Sequence, residues 1–91
     1  MRYDLTDLKL FVAVADAGNL SRGAQRCHLA ASSASHRIAR LEAAFSVAFL
    51  HREARGVRLT RAGEVMLDGA RQTLARLEQM HADLAPHASG A

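Results

Sequence analysis

The final third of the sequence carries an apolar repeat that limits how the chain folds. Six residues recur there at alternating spacings of three and four: Leu67, Ala70, Leu74, Leu77, His81 and Leu84. This heptad spacing predicts one long helix, capped by Thr60 and stopped by Pro86. At 1.5 Å per residue, about 25 residues span roughly 38 Å, which is longer than the domain they would cover. The repeat therefore predicts self-association through this helix, and the alternative is packing against its own domain.

Composition favours one small globular domain. The 91 residues suffice for a single core without disulfides, and 49% of them are apolar against 23% charged. The single cysteine, Cys27, excludes an intramolecular disulfide and a zinc cluster, and its position on an apolar stripe predicts a core residue. The sequence shows no apolar run of about 18 residues and no basic leader before an apolar run. We therefore expect a cytoplasmic protein with no membrane span.

The histidines and serines do not form a catalytic or metal-binding pattern. His28, His36 and His51 lack the i, i+4 spacing of a helical metal pair, and no nearby carboxylate completes a site. No serine, histidine and aspartate set has a defensible arrangement, and the serines are explained as caps, turn residues and exposed hydroxyls. The sequence predicts no metal, no cofactor and no enzymatic activity.

Two helices are predicted in the first third of the chain. Thr6 is the expected cap of a helix that runs to Ala17 and ends at Gly18 in a left-handed conformation. Its inward stripe has helical spacing and consists of Leu8, Phe11, Val12 and Ala15. Ser21 is the expected cap of a second, short helix over residues 22–28.

A third helix over residues 31–45 has two contrasting faces. The apolar face consists of Ala34, Ile38, Leu41 and Phe45. The opposite face is narrow and polar, with no acid at its N-terminal end, and carries Ser32, Ser35, His36, Ala39 and Arg40. From Val47 to Thr60, two extended runs around a polar turn containing Gly56 predict a β-hairpin with arginines at its tip and flanks.

Positive charge is concentrated in the middle of the chain. Residues 20–61 hold eight arginines against Glu42 and Glu53, a net charge of +6, whereas residues 1–19 carry −1 and residues 62–91 carry −2. Such clustering is typical of a surface that binds phosphates. The alternative is a solvated face that aids solubility.

These elements appear in an order that resembles a known family. The stretch "LKLFVAVADAGNLSRGAQRCHLAASSASHRIARLEAAF", followed by "RGVRLTRAGE", resembles the N-terminal DNA-binding domain of LysR-type transcriptional regulators over residues 3–86. The resemblance implies a mainly α fold with a winged helix-turn-helix over residues 1–61, in which three helices form the core and a β-hairpin forms the wing. The helix-turn-helix would lie at about 20–39 and the wing at about 48–59. A linker and dimerisation helix over 62–86 and a flexible tail over 87–91 would follow.

The resemblance also implies a function and its residues. The third helix would enter the major groove of double-stranded, partly palindromic DNA, and the wing would reach the flanking backbone or the minor groove. Base and nearby phosphate contacts fall to Ser32, Ser35 and His36, although His36 could also be an exposed histidine with no role. Phosphate contacts fall to Arg37 or Arg40, and wing contacts fall to Arg55 and its neighbours. The full set of expected DNA-binding residues is Ser21, Arg22, Ala31, Ser32, Ser33, Ser35, His36, Arg37, Arg40, Arg52, Arg55 and Arg58. The heptad residues named above would form the homodimer.

The sequence departs from the family pattern at several of these positions. Ala30 and Ala31 stand where the family usually has a Ser or Thr cap and a base-reading Gln, so Ser32 or Ser33 could cap a helix that starts later. Ser46 replaces a usual Gly in a left-handed position, and Gly23 replaces a usual Ala.

A further departure concerns length. The small-molecule effector domain of full-length members is absent from this chain, which we read as a fragment or as a protein that acts without an effector. The main hypothesis is sequence-specific DNA binding for transcriptional regulation, which would place the protein at the bacterial nucleoid. The alternative is an effector-less dimerising interaction module that antagonises a full-length regulator.

Overall fold

Four helices and one β-hairpin follow one another in the computed structural model, which describes residues 1–88. The elements are α1 (Leu5–Ala17), α2 (Leu20–Arg26), α3 (Ala31–Phe45), β1 (Leu50–Glu53), β2 (Gly56–Leu59) and α4 (Arg61–Leu84), followed by a 3-10 turn (Ala85–His87). This architecture confirms the predicted class: a three-helix core, a hairpin wing and a long final helix.

The first two helices begin earlier than predicted because other side chains cap them. Asp4 accepts a hydrogen bond from the Asp7 backbone N–H at 3.0 Å, and the Asp7 carboxylate accepts one from the Asp4 N–H at 3.1 Å. This reciprocal capping box starts α1 at Leu5, so the predicted cap at Thr6 is wrong. Asn19 accepts from the Arg22 N–H at 2.9 Å and caps α2, so the predicted cap at Ser21 is also wrong.

The core forms where α1 meets α2, α3 and the start of the wing. Its fully buried members include Leu10, Phe11 and Val14 of α1 together with Ala24, Ala34, Ile38 and Leu41. Phe49, just before β1, closes this core, with its ring centroid 5.6 Å from that of Phe11. The predicted core position at Phe45 is wrong: its side chain lies at the edge, 44% exposed, 5.2 Å from the Tyr3 ring centroid.

The wing is an antiparallel pair that is tied to the helical core at both ends. Leu50 lies opposite Leu59, and Glu53 lies opposite Gly56. Gly56 has a φ of +142°, and a Cβ there would lie 2.2 Å from the Gly18 carbonyl oxygen, so only glycine fits. At the other end the Glu42 carboxylate of α3 accepts from the Phe49 and Leu50 N–H groups at 2.7 and 3.2 Å.

The long helix has two halves with different surroundings. Thr60 caps it as predicted, accepting from the Gly63 N–H at 2.9 Å. Ala70 is 2% exposed and belongs to the core, and Leu67 and Leu74 pack against that core. The first half of the predicted dimer seam therefore packs against its own domain. This is the alternative to self-association that the sequence left open. His81 and Leu84, in the second half, are exposed.

The end of the chain differs in part from the predicted tail. The helix ends at Leu84, and Pro86 lies within the short 3-10 turn, so His87 belongs to that turn rather than to a tail. Residues 89–91 of the predicted tail lie outside the described residues. Within residues 1–88, no helix has both the length and the apolar character needed to cross a membrane.

Candidate nucleic-acid interface

The first turns of α3 expose a small polar surface. Ala31, Ser32, Ser33 and His36 are exposed, whereas Ser35 is half-buried at the side of this face. Ala30 occupies the cap position and makes no side-chain hydrogen bond, so neither Ser32 nor Ser33 caps the helix as predicted. The first backbone N–H groups of α3 consequently have no side-chain cap, and they add partial positive charge to the exposed end.

A shallow recess lies beside this surface. It is lined by two hydroxyl groups, one imidazole and two guanidinium groups, which belong to Ser32, Ser33, His36, Arg37 and Arg40. Every lining side chain carries a hydrogen-bond donor, and none is acidic. Such a lining suits phosphate oxygens and the acceptor atoms of base edges.

The two α3 arginines form ion pairs with acidic residues at the start of α1. Arg37 Nη1 lies 2.9 Å from Asp7 Oδ1, and Arg40 Nη2 lies 2.8 Å from Asp7 Oδ2. Asp4 extends the cluster, with its carboxylate 3.5 Å from Arg37 and 3.9 Å from Arg40. Burial by itself would raise the pKa of Asp7, but the hydrogen bonds from Arg40, Arg37 and the Asp4 N–H outweigh it and lower that pKa. The hydrogen bond to Asp7 raises the pKa of Arg37.

The wing arginines have different surroundings. Arg52 and Arg55 are exposed, and neither forms an ion pair with any residue of the described part of the chain. Arg58 instead pairs with Glu53, with Nε 2.6 Å from Oε1. The charge of Arg58 is therefore partly offset, whereas those of Arg52 and Arg55 are free to attract phosphate.

At the start of α2, Ser21 and Arg22 are exposed beside the capped turn. Arg22 likewise has no ion pair among residues 1–88. The predicted DNA-binding residues therefore fall into three groups: the start of α2, the recess on α3 and the wing.

Sequence reasoning missed three acidic residues that organise this surface. Asp4 and Asp7 could have been found, because acidic residues three apart before an apolar run are a capping signal. Their pairing with α3 had no local signal, since about 30 residues separate the partners along the chain. Glu42 was counted against the central positive charge, yet its carboxylate faces backbone N–H groups of the wing.

Among residues 1–88, no group of three or more His, Cys, Asp or Glu residues could hold a metal ion. Cys27 is a free, half-buried cysteine that packs against the core.

Comparisons with known proteins agree with this architecture. The family described as "Bacterial regulatory helix-turn-helix protein, lysR family" matches residues 5–64. HTH-type transcriptional regulator TfdT of Cupriavidus pinatubonensis is 43% identical over 76 residues, which cover 84% of this chain and 33% of that protein. The chain thus spans about a third of the length of this relative.

Two solved structures resemble the whole fold. The CbnR DBD–DNA complex superposes with a TM-score of 0.83 and 36% identity, covering 94% of this chain and 98% of that one. The complex of the BenM DBD with catB site 1 DNA gives a TM-score of 0.90 and 28% identity, covering 97% and 99%. The family match covers 60 of the 91 residues, more than half of the chain. This chain belongs to the LysR family of bacterial regulatory helix-turn-helix proteins.

Proposed function

We propose that this chain binds double-stranded DNA sequence-specifically for transcriptional regulation, with α3 in the major groove and the wing on the flanking backbone or minor groove. The observation that carries the proposal is the exposed, acid-free face at the start of α3, with its uncapped N–H groups and its recess of donors. A helix is about 10–12 Å across, and the major groove is about 12 Å wide, so only small side chains allow its backbone to approach the bases. The complexes of the CbnR and BenM domains with DNA support the proposal.

Within this proposal the groups of residues have different tasks. Ser32 and His36 are exposed at the groove-facing end and would contact bases, His36 as a donor to a purine N7. Ser35, being half-buried, would position more than it specifies. Arg22, Arg52 and Arg55 would contact phosphates and supply the salt-dependent part of the affinity.

The proposal also places the protein in the bacterial cytoplasm at the nucleoid and gives it no catalytic role. The relatives are transcriptional regulators, and the residues around α3 are suited to binding rather than to bond breaking.

Selection of duplexes from a random pool, followed by titration at several salt concentrations, tests the DNA-binding proposal. We expect a recovered sequence to bind at least 100-fold more tightly than a scrambled duplex, with affinity falling as salt rises because phosphate contacts release counterions. Affinity that ignores salt, or equal affinity for both duplexes, would overturn the proposal. Weak DNA binding together with mixed dimers formed with a full-length regulator would instead favour the antagonist alternative.

We also propose a homodimer formed through α4, with an interface displaced from the predicted seam. Ala70 is buried in its own core, so the contact would use the open second half of the helix, including Leu77, Met80 and Leu84. Half-sites should then lie about one helical turn of DNA apart, or a multiple of it. The exposure of Met80 and Leu84, two large apolar side chains on this half of α4, supports this assignment.

Sedimentation of a charge substitution tests the interface. The Leu77→Glu/Met80→Glu double variant should sediment as a monomer, because two carboxylates would be buried in the contact. Ala75→Glu, which places a carboxylate on the opposite, exposed face of α4, should remain a dimer. A dimeric double variant, or a wild-type chain that is monomeric throughout, would contradict the assignment.

A further inference from the structure

One buried carboxylate joins α3 to α1. The Asp7 side chain has no solvent exposure, while those of Arg37 and Arg40 are 29% and 41% exposed. Each arginine donates from one terminal nitrogen to a different oxygen of Asp7, and the Asp4 N–H donates to one of these oxygens as well. Both oxygens are therefore satisfied, and each guanidinium keeps other N–H groups that face away from this contact.

The cluster supplies little net attraction for DNA. Arg37 and Arg40 bring two positive charges, and Asp4 and Asp7 bring two negative charges, so the four side chains sum to zero. Phosphate attraction depends on uncompensated positive charge, which the wing provides and this cluster does not. Its contribution to binding must therefore come from geometry.

The geometry restrains rotation of α3 about its own axis. The apolar anchors Ala34, Ile38 and Leu41 fix how deeply the helix is seated. Hydrogen bonds from two successive turns of α3 to one carboxylate fix the direction in which the arginines point, and the hydrogen bond from the Asp4 N–H holds that carboxylate in place. With side chains about 5–6 Å from the axis, a rotation of about 20° would move a groove-facing atom by roughly 2 Å. Such a displacement is enough to break hydrogen bonds to bases.

We propose that Asp7 is a positioning residue for sequence recognition, which sets the rotation of the recognition helix through Arg37 and Arg40. This inference rests on the proposed DNA-binding function. It assigns the two guanidinium groups primarily to Asp7 rather than to phosphate. The cluster thereby governs discrimination between sequences, while general attraction to DNA depends on other arginines.

Asp7→Asn tests the proposal because charge and geometry predict opposite results. The variant is similar in shape but makes the protein more positive, so charge alone predicts tighter binding to every duplex. We expect affinity for the selected duplex to fall at least 10-fold, while affinity for a scrambled duplex of equal length stays the same or rises. The ratio of the two affinities is unaffected by a change in the folded fraction, since both fall equally.

Asp16→Asn is the matched control. Asp16 is also an α1 carboxylate paired with an arginine, but its partner is Arg71 of α4, far along the chain from α3. The substitution changes the net charge equally, and the affinity ratio should stay within about twofold of wild type. An unchanged ratio in Asp7→Asn, or an equal loss in both variants, would overturn the proposal.

Arg37→Met gives an independent test if Asp7→Asn does not fold. The salt slope is the slope of log affinity against log salt concentration. If Arg37 contacts phosphate, its removal should lower the magnitude of this slope by about 1 and weaken binding equally for all sequences. If Arg37 instead positions α3, its removal should leave the salt slope unchanged and lower the ratio of selected to scrambled affinity several-fold. The first result would overturn the proposal, and the second would support it.

The failure of this inference can be distinguished from the failure of the proposed function. If the wild-type chain does not discriminate between the duplexes, the proposed function itself fails. If the wild type does discriminate and both variants retain the affinity ratio, only this inference fails.

Discussion

The arginines of α3 and those of the wing belong to the same positive segment of the sequence but have different environments. Arg37 and Arg40 lie against Asp7, which is wholly buried, whereas Arg52 and Arg55 extend from the hairpin with no ion pair among the described residues. Formal charge along the chain counts all four equally. The structure separates them into a group that orients a helix and a group whose charge is available to phosphate.

This difference follows from where the acidic residues lie. Asp4 and Asp7 belong to a segment with a net charge of −1, and folding brings them beneath α3. Glu53 lies on the wing and offsets Arg58, but the hairpin turn leaves Arg55 beyond its reach. The positive charge of this segment is therefore largely neutralised on the α3 surface and, among the described residues, left unpaired at Arg52 and Arg55 of the wing.

The largest expected effect is on stability, and it separates a buried pair from an exposed one. Asp7→Asn should lower the free energy of unfolding by about 3 kcal/mol at pH 7, because the amide keeps one acceptor oxygen but turns an NH2 donor toward the other guanidinium, and the buried contact loses its negative charge. Asp16→Asn breaks a pair that is half exposed and should cost less than about 1 kcal/mol. Urea unfolding of both variants gives the comparison; equal losses would mean that the α3 cluster is no stronger than a surface pair.

Acid should weaken the α3 cluster through its buried carboxylate, Asp7. The pKa of Asp7 is lowered in the folded protein, so its contribution to stability is present above the unfolded value of 3.8 and is lost as the pH falls below it toward the folded value. The free energy of unfolding of the wild type should therefore drop more steeply than that of Asp7→Asn between about pH 4 and pH 2. If urea unfolding shows that the free energies of unfolding of the two proteins fall in parallel over this pH range, Asp7 contributes no stability through its charge.

The fold was largely predictable, because its signals are local and periodic. Three members of the predicted α3 stripe, the Thr60 cap and the left-handed Gly18 are each signalled within a few neighbouring residues and are confirmed. The fourth member of the stripe, Phe45, lies exposed at the edge. The division of the α4 repeat between core and surface could not be predicted from the sequence, since Ala70 and Leu84 occupy equivalent heptad positions. Only tertiary packing makes one buried and the other exposed.

The candidate site was predictable in its residue types but not in its pairings. Nothing near Arg37 in the sequence indicates Asp7 as its partner, and the roles of the predicted DNA-binding residues stay predictions. The capping residues show the same limit on a smaller scale. Several side chains near each helix start were chemically suitable, and backbone geometry selected Asp4 and Asn19.

The wing gives a smaller, purely electrostatic effect. Arg55→Ala should lower the salt slope by about 0.9, so that between 50 and 200 mM salt its affinity falls about threefold less than that of the wild type. The loss should be equal for selected and scrambled duplexes, in contrast to Arg37→Met. Arg71→Ala, which removes a charge from α4, should leave the slope unchanged. A sequence-dependent loss in Arg55→Ala would indicate that the wing reads bases and would break the division between the two groups.

The smallest expected effect lies at Ser46, which joins the two regions. This residue ends α3 with a φ of +56°, a left-handed conformation that glycine adopts without strain. Ser46→Gly should raise the free energy of unfolding by up to about 1 kcal/mol, because relief of strain exceeds the added entropy of the unfolded chain. If the α3 cluster and the wing act separately, neither the affinity ratio nor the salt slope should change with this gain. Urea unfolding and DNA titration of the same variant measure both, and a shift in the ratio would show that strain at this junction also helps to orient the recognition helix.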